Sequence, residues 1–156
     1  SIFRLLLYFL ERGNMYRPLP DGLTIKQSPI EGLGLYATID IKKNSFIGLT
    51  HILDERFENN YLRTPLGGFY NHSDDPNVQR MITNVLPTLK FGEQAPPVDD
   101  QSEIKNIEGS RENMYPKIYA RFMYMISIRD IKSGEELAAN YHLYTYPKTG
   151  VGLQMI

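Results

Sequence analysis

Apolar and polar residues alternate along short stretches of this chain more often than they recur at helical spacing. Leu23-Thr24-Ile25-Lys26-Gln27-Ser28 has the period of two that marks a half-buried strand. Leu33 to Thr38 and Ser45 to Thr50 predict two more strands, with Asp40-Ile41-Lys42-Lys43-Asn44 as the turn between them. The run from Ile118 to Ile128 is apolar and aromatic without a gap. Its alternation of Ile118, Ala120, Phe122, Tyr124, Ile126 and Ile128 fits a strand, and Arg129 to Gly134 is a turn after it. Helix is expected over the N-terminal run Ile2 to Leu10 and, as a short piece, over Glu55 to Leu62. Pro18, Pro20, Asp21 and Gly22 break the first of these. Gly67-Gly68 leads into a loop at Asn71. From about 85 to 116 the chain is rich in Pro, Gly, Asp, Glu, Asn and Ser with no hydrophobic period, which predicts a long insertion.

Many short strands between Gly- and Pro-bearing turns predict a mainly β architecture. No Gly-rich loop runs from a strand into a helix, so dinucleotide and phosphate-loop signatures are absent. The expected division is an N-terminal helical extension over 1–22, one domain over 23–146 that carries the insertion, and a tail over 147–156. Met15 opens a segment that reads as a domain start, so residues 1–14 are expected to be either an upstream extension or not native to the protein.

Composition narrows the classes further. A chain of 156 residues is one domain by size. A formal net charge of -1 leaves no electrostatic footprint for nucleic acid. With no cysteine there are no disulfides and no thiolate metal sites. His51, His72 and His142 lack ligand spacing, so no metal is expected. Eleven Tyr and seven Phe suit a β-rich fold. The N-terminal apolar run is shorter than the about 20 residues that span a bilayer. Glu11 and Arg12 follow it without a small-residue cleavage site, so an intracellular protein is expected, with no membrane partner.

Three short motifs stand out. Gly32 and Gly34, within Glu31-Gly32-Leu33-Gly34-Leu35-Tyr36-Ala37, suit either a plain turn or a close approach of backbone to a ligand. Asn71-His72-Ser73-Asp74-Asp75-Pro76-Asn77 is turn-forming by composition. Tyr141 ends Gly134-Glu135-Glu136-Leu137-Ala138-Ala139-Asn140-Tyr141 and reads alone as a core aromatic at a strand end. In this order the three resemble the signature of the SET-domain family of protein lysine methyltransferases. Asn71 to Asn77 is similar to that family's N-H-S-C-x-P-N, with Asp74 where Cys is common. Glu136 to Tyr141 is similar to E-L-x-x-D-Y, with Asn140 in place of Asp. Some members carry an aromatic where this chain has Ala139.

The resemblance covers Leu23 to Tyr146. It implies small curved β-sheets of the β-clip kind, with a knot-like threading of the C-terminal segment near the Asn71 loop. It implies S-adenosylmethionine as methyl donor, held by Gly32, Leu33, Gly34, Asn71, His72 and Tyr141. Tyr141 is by resemblance the catalytic tyrosine, and a protein or peptide bearing a lysine is the partner. Tyr70, Tyr144 and Tyr146 are candidates for the wall of the lysine channel, while Phe69 packs.

The chemistry explains why such residue types suffice. A lysine amine has an unperturbed pKa of about 10.4 and arrives protonated. Desolvation in a narrow channel favours its neutral form. In-line alignment of nitrogen, methyl carbon and sulfur supplies much of the rest. Oxygen atoms around the methyl group add weak C–H···O contacts, and aromatic walls can face a cation. Two alternatives stay open: a SET-like module that binds a peptide or the cofactor without turnover, and a structural β-rich protein whose motifs match by chance.

Overall fold

The computed structural model describes residues 2, 4, 18–96, 104–105 and 120–144. Strands dominate. In chain order they are β1 (Leu23–Gln27), β2 (Leu33–Ala37), β3 (Phe46–Leu53), β4 (Tyr61–Arg63), β5 (Asn71–His72), β6 (Val78–Thr83), β7 (Ile104–Lys105), β8 (Phe122–Ser127), β9 (Glu136–Ala139) and β10 (Leu143–Tyr144). Eight of them form one sheet along the path β1-β2-β9-β6-β8-β3-β4, with β5 attached to β9. β7 and β10 form a separate antiparallel pair. The mainly β expectation therefore holds.

Three of the predicted strands are found with their ends trimmed or extended by a few residues. Alternation is clearest in β1, the edge strand whose inner Leu23 is fully buried. β1 and β2 form a hairpin in which Leu23 faces Ala37 and Gln27 faces Leu33. Gly32 at its tip has φ 49°, a left-handed conformation that glycine adopts without a Cβ penalty. The two predicted turns meet: Ile41 and Ile131 exchange backbone hydrogen bonds of 2.7 and 2.8 Å.

The central strand was not expected. β6 is buried along its whole length even though it reads Val-Gln-Arg-Met-Ile-Thr. It lies between β9, to which it is parallel, and β8, to which it is antiparallel. Its faces alternate as strand geometry requires. Ile82 packs with Met123 and Tyr144 on one side, and Met81 packs with Phe46 and Tyr124 on the other. A further cluster joins Leu23, Leu35, Ile47, Val78, Met125 and Leu137. Each such fully buried side chain contributes about 1.5–3 kcal/mol over an exposed one. The Met123-Tyr124-Met125 stripe is core, as its composition suggests.

The short helix expected over Glu55 to Leu62 is not formed. A single 3-10 turn, Glu58–Asn60, takes its place, and the chain then enters β4. Asn59 and Asn60 sit at φ 59° and 65°, which ends any right-handed helix there. Tyr61 is drawn into the sheet, where its hydroxyl donates to the Ala120 carbonyl at 2.7 Å. A short α-helix, α1 (Pro65–Phe69), starts where Gly67-Gly68 predicted only a loop. The Thr64 hydroxyl caps it by accepting from Gly67 N–H, and Pro65 fits the first turn. A Cβ at Gly67 would lie 2.1 Å from the Thr50 carbonyl oxygen, so the helix docks on β3 only with glycine there.

The first part of the predicted insertion is built into the fold. Residues 85–96 return to the sheet, where Gln94 bridges Ser45 and Ala95 N–H donates to the Asn44 carbonyl. The rest of the insertion, apart from the backbone of β7, lies outside the described residues. So do most of the N-terminal helical extension, the start of the strand predicted from Ile118, the tail, and, beyond Tyr144, the segment whose threading was expected after Tyr141. No helix among the described residues is long and apolar enough to cross a membrane.

Candidate functional site

All three motifs converge on β9. β5 lies parallel to it, with Asn71 beside Ala138 and His72 beside Ala139. The backbone N–H groups of Ser73 and Asn77 donate to the carbonyls of Ala139 and Ala138. The buried Asn77 side chain completes the seam. Its Nδ2 donates to the Glu136 carbonyl at 2.7 Å, and its Oδ1 accepts from Ala138 N–H at 3.0 Å. The Asn71 to Asn77 segment is thus partly a strand laced to β9, where the sequence predicted a loop.

Asn71 ties this seam to the glycine motif. Its Nδ2 lies 3.1 Å from the Glu31 carbonyl, 3.1 Å from the Leu33 carbonyl and 2.8 Å from Glu136 Oε1. Three acceptors around one atom fix which end of the amide is nitrogen. That assignment leaves the opposite end, Oδ1, as the acceptor of the amide. Nothing lies within 4 Å of where a Cβ on Gly32 would point, so there is open space next to this backbone. Gly34 is different: a Cβ there would fall 2.1 Å from Glu136 Oε1. Its side-chain-free position admits a carboxylate of the protein itself. Leu33 and Ile30 are each about half exposed at this end of the hairpin.

Glu136 is the residue that joins the parts. Besides Asn71, it accepts from Ser28 Oγ at 2.9 Å and from the Tyr36 hydroxyl at 3.3 Å. Burial, and then the negative charge of Glu136, push the Tyr36 phenol above its ordinary value. Glu136 stands inside a motif that was read for its pattern, and its partners are 65 to 108 residues away in sequence.

His72 and Tyr141 form the second half of the site. Tyr141 N–H donates to His72 Nδ1 at 3.0 Å, so Nδ1 is the acceptor and Nε2 carries the proton. That proton faces Asp74 Oδ1 at 2.9 Å. Asp74, a position with no chemical part by resemblance, therefore fixes the tautomer of its neighbour. The Tyr141 hydroxyl donates to the Tyr70 carbonyl at 2.7 Å. The Tyr141 ring meets those of Tyr70 and His72 edge-on, with centroids 5.6 and 5.1 Å apart. Burial, with a smaller contribution from Tyr70, pushes the Tyr141 phenol up to about 12.

A pocket of about 40 Å³ opens beside Tyr141, lined by His51, Arg63, Tyr70, Arg80, Tyr141 and the Gly67-Gly68 backbone. Burial, reinforced by the positive charges of Arg80 and Arg63, holds His51 down at about 3, so it is neutral. Of the proposed channel residues, Tyr70 lines this pocket. Tyr144 does not: it is fully buried, with the Arg80 guanidinium 4.5 Å from its ring centroid. Tyr146 lies outside the described residues. A larger groove of about 560 Å³, lined by Phe46, Val85, Leu86 and Tyr124 among others, contains no residue of the three motifs. No group of three or more His, Asp or Glu side chains suited to a metal ion occurs among the described residues.

Sequence reasoning missed Glu136 and Arg80. The only hint of Arg80 was a charged residue in the otherwise apolar half of β6, the strand that alternation did not reveal.

No family model matches the sequence, and no curated protein matches it. Solved structures do. A Plasmodium falciparum protein described as a histone methyltransferase is 22% identical over 76% of this chain and 96% of its own, with a TM-score of 0.45. The Chaetomium thermophilum Polycomb Repressive Complex 2, as a humanized mutant bound to the inhibitor GSK126, is 19% identical over 85% of this chain, with a TM-score of 0.46. A structure concerned with the product specificity of histone lysine methyltransferases is 16% identical over 76% of this chain, with a TM-score of 0.43. This chain spans 16% and 49% of the latter two. The chain is similar, at low identity, to solved SET-domain histone lysine methyltransferases.

Proposed function

We propose that this chain transfers a methyl group from S-adenosylmethionine to a lysine side chain of a protein substrate. The observation that carries the proposal is the arrangement of Tyr141. Its N–H is held by the histidine of one motif, and its hydroxyl is held by the carbonyl that precedes that motif's asparagine. The phenol stays neutral up to about pH 12, so Tyr141 acts through its hydroxyl and not as a phenolate base. Because that hydroxyl spends its proton on the Tyr70 carbonyl, its oxygen keeps lone pairs to accept an N–H of a neutral amine. Such a bond orients the amine's own lone pair, and orientation is the main demand of this reaction.

When bound, S-adenosylmethionine supplies a methyl group on a positively charged sulfur. The residues fit such a ligand. Asn71 Oδ1 is an acceptor for its ammonium group, and Gly32 leaves space for it. Leu33 and Ile30 offer apolar surface at the same end. Glu136 keeps Asn71 in register, and His72 keeps Tyr141 in register.

A second reading has its own observation. The pocket beside Tyr141, about 40 Å³, is small against the roughly 300–1,000 Å³ of ordinary ligand clefts, so a lysine chain needs movement to enter. That favours a SET-like module that binds without turnover. One experiment separates the two: incubate the protein with labelled S-adenosylmethionine and a mixed protein extract, then repeat with Tyr141→Phe. Label on protein that is lost in the variant is the expected result. Cofactor binding without label supports the binding module, and absence of cofactor binding refutes both.

A further inference from the structure

Arg80 belongs to none of the three motifs, yet it is 1% exposed and lies against the acceptor side of the site. Burying a guanidinium is expensive, and an apolar residue of similar volume often serves stability as well. Its contacts point to another reason for its presence. Nη2 donates to the Tyr141 carbonyl, and Nε lies 3.4 Å from the Leu143 carbonyl. Nη1 lies 3.5 Å from the Tyr70 hydroxyl. The guanidinium carbon is 4.5 Å from the Tyr144 ring centroid and 5.9 Å from that of Tyr141.

Those partners come from two distant parts of the chain. Tyr70 precedes β5, while Tyr141 lies in the turn that leaves β9, and Leu143 and Tyr144 form β10 directly after it. Within that turn, local order rests on Leu143 N–H donating to the Asn140 carbonyl and His142 N–H donating to Asn140 Oδ1. Neither bond reaches Tyr70; the Tyr141 hydroxyl does, through the Tyr70 carbonyl, and the Arg80 guanidinium adds a second tie from outside the turn. A planar fork with five donors can hold several acceptors and stack on a ring at once, which a lysine ammonium cannot.

We propose that Arg80 is the positioning residue of the acceptor site, holding the Tyr141–Leu143 turn against Tyr70 so that the Tyr141 hydroxyl keeps its aim. This rests on the methyl-transfer role assigned to Tyr141. His51 of β3 and Arg63 of β4 line the same pocket. Arg80 therefore acts on the acceptor half, while Asn71 and Glu136 serve the donor half. The two halves should be separable by mutation.

The test uses the full chain with Arg80→Met and Arg80→Lys. Three quantities are measured: label transfer from S-adenosylmethionine to a mixed extract, affinity for S-adenosylmethionine by calorimetry, and the ring resonances of Tyr141 in 13C-tyrosine-labelled protein, assigned with Tyr141→Phe. Arg80→Met is expected to shift the Tyr141 resonance and slow transfer roughly 10- to 100-fold, as displacement of an orienting group does. Cofactor affinity stays unchanged, and Arg80→Lys recovers part of the loss. An unshifted Tyr141 resonance, or full transfer, in folded Arg80→Met overturns the proposal. So does an equal loss of cofactor affinity. If Arg80→Met does not fold, Tyr144→Leu removes the ring under the guanidinium, and an unmoved Tyr141 resonance in that variant overturns the proposal instead. If the wild type transfers no label at all, the methyl-transfer reading fails, while the resonance still reports on positioning.

Discussion

Replacing Asn77 with Ala removes two hydrogen bonds from the seam between β5 and β9. Asn77 is 4% exposed, and both partners are backbone groups of β9: the Glu136 carbonyl at 2.7 Å and the Ala138 N–H at 3.0 Å. Each bond contributes about 1 kcal/mol net, and stranding a buried backbone partner adds about 1 kcal/mol or more apiece. The loss should therefore be about 2–4 kcal/mol. In a domain of this size that is roughly 5–15 °C in melting temperature. Asn77→Asp sharpens the reasoning. It keeps an acceptor for Ala138 N–H but turns a second oxygen on the Glu136 carbonyl, so it should destabilise at least as much as Ala despite its near-identical shape. Urea unfolding followed by circular dichroism measures both. A loss under about 0.5 kcal/mol, the usual range of surface substitutions, would refute the seam argument. Asn77→Asp matching wild type would show that the Nδ2 bond is unimportant.

Three further outcomes are expected. Gly34→Ala places a Cβ 2.1 Å from Glu136 Oε1 and must displace that carboxylate from Asn71, so calorimetry should show weaker S-adenosylmethionine binding; unchanged affinity would mean that Glu136 does not hold Asn71 in its working position. His51 stays neutral in the fold down to about pH 3, whereas the unfolded chain takes up a proton below about 6.5. Stability from this group is therefore complete above that value and declines as pH falls, by about 1.4 kcal/mol per unit between the two values. His51→Gln should lose less stability than wild type between pH 7 and 5 in parallel melts, and equal slopes would contradict this. Long-range 1H–15N spectra should find His72 protonated on Nε2, and an Nδ1-protonated ring would refute the chain Tyr141–His72–Asp74.

β1 was legible because its sequence alternates apolar and polar residues; β2 is buried at every position but its first and was marked by the turns at its ends. β6 was not legible because it is buried on both faces, where alternation has no meaning, and because Gln79 and Arg80 interrupt its apolar run. The missing helix at Glu55 failed for a local reason: two asparagines took left-handed geometry, and Tyr61 was committed to the sheet. At the site, motif spelling marked Asn71, His72 and Tyr141; a hydrogen bond joins His72 to Tyr141, and Asn71 is bonded separately to Glu136. It did not mark Glu136 or Arg80, whose partners are remote in sequence. A side chain that serves by holding others leaves little local trace.

The parallel pairing of β5 with β9 also bears on how the protein folds. Two residue pairs close it, Asn71 with Ala138 and His72 with Ala139, and the bonds that reinforce it span 59 to 71 residues. So short a ladder cannot repay the entropy of closing so long a loop by itself. β6, β8 and β9 have to assemble first, which makes the site a late product of folding and keeps its strands among the slow, non-local contacts. In a stopped-flow experiment, Asn77→Ala should accordingly speed unfolding far more than it slows folding, and the reverse would place this seam in the folding nucleus.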